Sequence, residues 1–175
     1  MPENSSAPLA EVEGAIVIRA ATSADCEAIW SILEPTIRLG ETYTLPRDVS
    51  RDDALAFWFA PGHETFVADI DGRTAGTYFL RQNQAGGGRH VANCGYITGP
   101  RAEGRGVGRA MLEHSLARAK ARGFRAMQFN FVVSSNERAV RTWQGYGFEI
   151  VGRLPQAFAH PRLGFVDALV MFKVL

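Results

Sequence analysis

Gly104, Gly106 and Gly108 alternate with Arg105, Val107 and Arg109 immediately ahead of an apolar, helix-forming run. Glycine reaches backbone conformations closed to other residues, so successive N–H groups in such a loop can face one concavity at a helix N-terminus. That concavity suits phosphate. The helix dipole places roughly half a positive charge there, and two guanidinium groups add full charges at its rim. A nucleotide-triphosphate loop needs a Gly-Lys pair, which the chain lacks. A dinucleotide fingerprint also fails, because its last position falls on Arg109 or Met111. The alternative, a tight strand-to-helix turn, needs fewer glycines than three in alternation.

Asn93 and Asn130 each interrupt an apolar run. A buried amide without partners costs about 1–3 kcal/mol, so each must bond to backbone, to the other, or to a ligand. Glu41 and Tyr43 stand between Gly40 and Pro46 and read as residues of a solvated loop. Cys94 reads as a small buried hydrophobe rather than an acyl carrier, and Asp167 as an exposed charge on an edge strand. Phe57, Trp58 and Phe59 read as core. His63, His90, His114 and His160 are scattered without ligand spacing, so no metal is expected.

These residues need strands and helices to place them. Residues 15–20 form a β-branched run, and Thr22, Ser23 and Asp25 offer caps for a helix through Ile29, Ile32 and Leu33. Ser50 with Asp53 three residues on predicts a second short helix through Phe59. Two β runs flank Asp71 and Gly72, a two-residue hairpin turn, and the tract from Gln82 to His90 reads as a flexible loop because Gly86, Gly87 and Gly88 cannot hold a strand cheaply. Strands follow at residues 90–98 and 124–133, separated by a glycine-opened helix that ends at Gly123. A further helix spans Asn136 to Gln144, and residues 148–154 and 165–175 supply two last strands. The order predicts an α/β (α+β) fold with a mixed sheet and helices on both faces.

With 175 residues, 46% hydrophobic and 21% charged, the chain suits one globular domain. A net charge of +1 leaves no global field to gather nucleic acid or a membrane surface, so neither is expected as a partner. Cys26 and Cys94 are separated and form no Cys-x-x-Cys pair, which fits reduced thiols and a cytoplasmic setting. Residues 1–14 are polar, carry no signal-peptide core and read as a flexible tail. No apolar run reaches the roughly 18 residues of a membrane span.

The strand ending before Pro100, the run from Glu103 to Gly108 and the Met-Leu helix after it resemble the pyrophosphate-binding motif of the GNAT acetyltransferase superfamily, Gln/Arg-x-x-Gly-x-Gly/Ala. The segment from Val132 to Glu149 is similar to the family's next strand, the Asn opening its next helix and its closing Gly-Phe. The resemblance spans about residues 15–175, and its glycine-loop motif fits in two registers. In one, Glu103 replaces the Gln/Arg; in the other, Arg101 precedes Gly104 and Gly106. The resemblance implies a mostly antiparallel, twisted sheet of about seven strands, splayed between the fourth and fifth. It implies that amides of Gly104, Arg105, Gly106, Val107, Gly108 and Arg109 hold the pyrophosphate of acetyl-CoA. It further implies that Ile97 and Thr98 pair with the pantetheine arm, and that Asn136 bonds the same cofactor while capping its helix. Homodimers are common in this fold.

Acetyl transfer to an amine needs a neutral nitrogen beside the thioester, donors for the oxyanion and a proton for the leaving thiolate. Many members of the family use a Tyr five residues before the Phe of Gly-Phe as that acid; here the position is Trp143, which cannot serve. Tyr146 is either the substitute acid or a packing residue, and solvent can also protonate the thiolate. The segments from Val91 to Ile97, Phe129 to Asn136 and Gly152 to Lys173 further resemble the yeast proline-analogue N-acetyltransferase group. That resemblance implies a small-molecule amine acceptor, an amino or imino acid, with Asn93 and Asn130 holding its carboxylate and amine. The family's acceptor loop corresponds to the segment with Glu41 and Tyr43. A silent acyl-CoA sensor and a protein N-acetyltransferase are the rival readings.

Overall fold

The computed structural model describes residues 14–102 and 104–175; residues 1–13 of the expected tail, and Glu103 with the register it carries, lie outside them. The elements run β1 (Ile16–Ala20), α1 (Cys26–Leu39), α2 (Arg51–Trp58), β2 (Glu64–Ile70), β3 (Arg73–Gln82) and β4 (Val91–Thr98). They continue α3 (Val107–Ala121), β5 (Ala126–Val133), α4 (Glu137–Gly145), β6 (Glu149–His160) and β7 (Gly164–Val174). Local chemistry accounts for many of these boundaries. The Ser50 hydroxyl accepts from the Asp53 amide at 3.1 Å and donates to its carboxylate at 2.7 Å, capping α2. Asp71 and Gly72 both take positive φ, 52° and 70°, as a tight two-residue hairpin requires. The Asp25 carboxylate accepts from the Thr22 amide at 2.7 Å and is held by Arg19 before α1 begins.

One seven-stranded sheet results, in the order β1-β2-β3-β4-β5-β7-β6, and every neighbouring pair is antiparallel except β4 with β5. Helices cover both faces. On one, Ile29, Leu33 and Ile37 of α1 and Trp58 of α2 pack with Val67, Phe79 and Ile97. On the other, Met111 and Leu112 of α3 pack with Ala68, Leu80, Cys94 and Met127, and Trp143 of α4 joins them. Contact with α3 is close enough that a Cβ on Gly76 would lie 2.9 Å from both Met111 and Val107 side-chain carbons. Among the described residues, no helix is long and apolar enough to cross a membrane.

The parallel pair is short. Val91 pairs with Ala126 and Ala92 with Met127, after which the strands part. The cause lies in β5, where Phe129 faces Met171 and Val132 faces Leu169 on β7, leaving one extra residue at Asn130 or Phe131. Such a bulge bends its strand. β4 meanwhile stays paired with β3 as far as Thr98, so a wedge opens between two intact antiparallel ladders.

Two segments differ from the sequence expectation. The glycine tract is tighter than a plain loop, because Gly86–Gly88 form a 3-10 turn with the Arg89 amide on the Gly86 carbonyl at 3.2 Å. β6 also runs past residue 154 to His160, accommodating Pro155 next to a bulge between Leu154 and Phe158. There Gln156 takes a φ of 52°. Asp167 anchors the irregularity rather than standing free, accepting from the Gln156 amide at 2.9 Å and from Arg153 at 2.6 Å.

Candidate active site

Where β4 and β5 separate, Gln128 would present a carbonyl to the gap. The Asn93 side chain donates to it at 2.8 Å, so a side-chain amide closes the parallel ladder one position beyond its last backbone pair. The Asn93 oxygen accepts from Arg81 Nε at 3.3 Å, across the β3–β4 register in which the two residues are partners. Asn130 belongs to a separate chain of amides, donating to Asn83 at 2.8 Å and accepting from Gln128 Nε2 at 2.8 Å. The two asparagines flank the apex of the wedge without bonding to each other.

Beyond this apex the wedge widens into a cleft of about 400 Å³, lined by Tyr43, Arg81, Asn93, Asn130, Asn136 and Trp143 among others. Gly95 to Thr98 of β4 line one wall and Phe129 to Val133 of β5 the other. Tyr43 reaches in from the α1–α2 connection, and its hydroxyl donates to the Tyr96 carbonyl at 3.1 Å; burial pushes its pKa far above the usual phenol value. Gly95 makes room for it, since a Cβ there would lie 2.6 Å from the Phe79 ring and 3.0 Å from the Tyr43 oxygen. Trp143 stacks obliquely against Tyr96 and Phe129, with ring centroids 5.3 and 5.2 Å away. Asn136 caps α4, accepting from the Ala139 amide at 3.3 Å, while also lining the cleft.

The glycine loop follows directly from β4. Gly104 and Gly106 have φ of 70° and 76°, and a Cβ on either would meet nothing within 4 Å. Backbone conformation, not crowding, therefore demands glycine there. Gly106 is the N-cap of α3 and, among the described residues, no side chain caps the helix, so its first amides can face an anion. Gly108 faces β4, where a Cβ would sit 3.7 Å from the Thr98 methyl. Arg109 is exposed at the rim, and Arg105 leans to Asp71 at 3.3 Å. The positive end of the α3 dipole and the guanidinium groups of Arg105 and Arg109 favour an anion at this helix start.

Two expected residues are not brought to the cleft wall. Glu41 pairs with Arg162 of the β6–β7 connection at 2.6 Å. Tyr146 ends α4 and donates its hydroxyl to Glu113 on α3, a bond that raises its pKa. Cys94 does line the cleft, but burial pushes its thiol up to about 12, so it is neither a nucleophile nor an acyl carrier near neutral pH. Among the described residues, no three His, Cys, Asp or Glu side chains gather as a metal site.

Sequence reading missed Arg81. Counting alternate residues from the Asp71–Gly72 turn sets it on the same face as Phe79, but its pairing with Asn93 depended on how the glycine-rich connection closes.

Residues 26–148 match the model of the acetyltransferase (GNAT) family. N-acetyltransferase aca1 of Schizosaccharomyces pombe is 27% identical over 154 residues, covering 77% of this chain and 72% of that protein. The L-methionine sulfoximine/L-methionine sulfone acetyltransferase of Salmonella typhimurium is 26% identical, covering 81% and 84%. Among solved structures, a GCN5-related N-acetyltransferase from Kribbella flavida superposes with a TM-score of 0.87 at 37% identity, covering 91% of this chain and 98% of that one. The yncA protein from Salmonella typhimurium, solved with its cofactor acetyl-CoA, superposes at 0.80 with 25% identity, covering 92% of this chain and 94% of that one.

Proposed function

The chain belongs to the GNAT acetyltransferase family and is an acyltransferase; on that premise we propose that it passes the acetyl group of acetyl-CoA to the amine of a small amino or imino acid by direct attack. The observation that carries this reading is the wedge between β4 and β5, which opens beside the uncapped glycine start of α3. Acetyl-CoA would supply an activated acyl carbon and a thiolate leaving group. Amides of residues 104–109 would hold its pyrophosphate, backbone groups of Ile97 and Thr98 the pantetheine arm, and Asn136 the same arm from the α4 side. A strand-four amide freed by the splay would donate to the developing oxyanion.

Acceptor chemistry falls to the other end of the wedge. Asn130 would orient the amine there, and Tyr43 would close the cleft from the α1–α2 connection. With Cys94 held protonated, no covalent acyl-enzyme is needed, and the neutral amine attacks the thioester in one step. Tyr146, tied to Glu113 outside the cleft, is left out of this mechanism. Water takes the proton that the nitrogen loses as the C–N bond forms and the C–S bond breaks, and returns one to the thiolate, a moderately good leaving group. The Salmonella typhimurium relative named for methionine sulfoximine and methionine sulfone supports an amino-acid acceptor.

Thiol release from acetyl-CoA, measured against a panel of amino acids, imino acids and other amines and paired with calorimetry for coenzyme A, tests the proposal. Release with an amino or imino acid is the expected outcome. Tight coenzyme A binding without turnover would instead identify a sensor, and absence of binding would overturn the assignment of the glycine loop.

A further inference from the structure

Arg81 is the one charged side chain among the described residues lining the cleft. It is partly buried and appears in none of the described ion pairs, whereas Glu41, Glu64, Asp69 and Asp167 each hold an arginine elsewhere. Its Nε is engaged by Asn93, whose own amide is fixed on the Gln128 carbonyl at the apex of the splay. The terminal Nη groups have no hydrogen-bond partner among the described residues. A guanidinium held at Nε and open at its fork is preorganised for a planar anion with two oxygens.

That anion is not the pyrophosphate. Asn93 lies at one end of β4 and the glycine loop beyond Thr98 at the other, five residues or roughly 17 Å along the strand. Phe57 and Phe79 line the cleft beside Arg81 and offer apolar wall for a side chain. We propose that Arg81 binds the acceptor's carboxylate, making the enzyme selective for free α-amino or α-imino acids over the corresponding amides, and that Asn93 is a positioning residue for Arg81 rather than a direct carboxylate ligand.

This inference rests on the acetyl-transfer reading above and can fail separately from it. Wild-type enzyme and the R81Q and R81K variants are assayed with L-methionine sulfone and azetidine-2-carboxylate, each beside its carboxamide, while coenzyme A binding is measured in parallel. Wild type should prefer each acid over its amide by roughly 100-fold in kcat/KM, the scale of a charge-assisted pair. R81Q should lose roughly that factor on the acid, chiefly in KM, change less than about threefold on the amide, and bind coenzyme A as wild type does. R81K should fall between them, keeping the charge without the fork. Equal use of acid and amide by wild type, or a parallel loss on both in R81Q, would overturn the role of Arg81 while leaving acetyl transfer intact. Failure to acetylate any of the four probes would sink the proposed acceptor class and the inference with it.

Discussion

Cys94 and Asn130 both face the cleft, yet the physics assigns them opposite weights. A thiol held protonated by burial contributes only its volume, so Cys94→Ala should keep kcat/KM within about twofold; a loss of 100-fold or more would restore an acyl-enzyme to the mechanism. Asn130 spends its amide on Asn83 and Gln128, neighbours that an acceptor can exchange for itself at little cost. Asn130→Ala should lower turnover at least tenfold with unchanged coenzyme A binding in calorimetry, on the scale of one lost hydrogen bond in the transition state. Gly95 is the steric counterpart. Its Ala variant must displace Phe79 and the Tyr43 hydroxyl, so it should cost about 1–3 kcal/mol and lower the melting temperature by several degrees. Asn93 and Asn130 stood out in the sequence because an amide in an apolar strand demands a partner. Gly95 and Arg81 did not, since crowding and fork orientation are properties of three strands together.

At the scale of elements, turns and caps were legible because their chemistry is local. Ser50, the Asp71–Gly72 hairpin and the glycine start of α3 all lie where the residues require them. Bulges were not, since an extra residue in β5 or β6 is defined only against β7. That is why the splay entered through resemblance, and why β6 extends beyond its apparent end at Leu154. The α3 start can be tested by Gly106→Ala, which places a side chain at a φ of 76° in open space. It should cost about 1 kcal/mol of stability and weaken coenzyme A binding. Unchanged affinity would mean that the backbone there does not contact the cofactor.

For the molecule as a whole, two sets of groups set the response to acid. His63, stacked on Phe79 at 4.3 Å, and His114, bonded to the Tyr78 hydroxyl at 2.5 Å, have pKa values lowered by burial. Their contribution to stability is complete above the unfolded value of about 6.5 and is lost as pH falls through the lower folded values. Asp25, held far down by Arg19, contributes above about pH 4 and is lost only in stronger acid. Urea midpoints should therefore fall in two stages, the first between pH 7 and 5, and His114→Asn should shrink that first stage. A midpoint that is flat over this range would contradict the burial of both rings.

The two-rung seam between β4 and β5 also has a mechanical side. β1 to β4 and β5 to β7 are separate antiparallel ladders, each able to open as a cooperative unit, and little backbone bonding spans the line between them. A ligand lying in the wedge fastens one unit to the other. Amide hydrogen exchange should then slow together at residues 95–98 and 130–133 when coenzyme A is added, making the co-substrate a temporary part of the sheet's own cohesion.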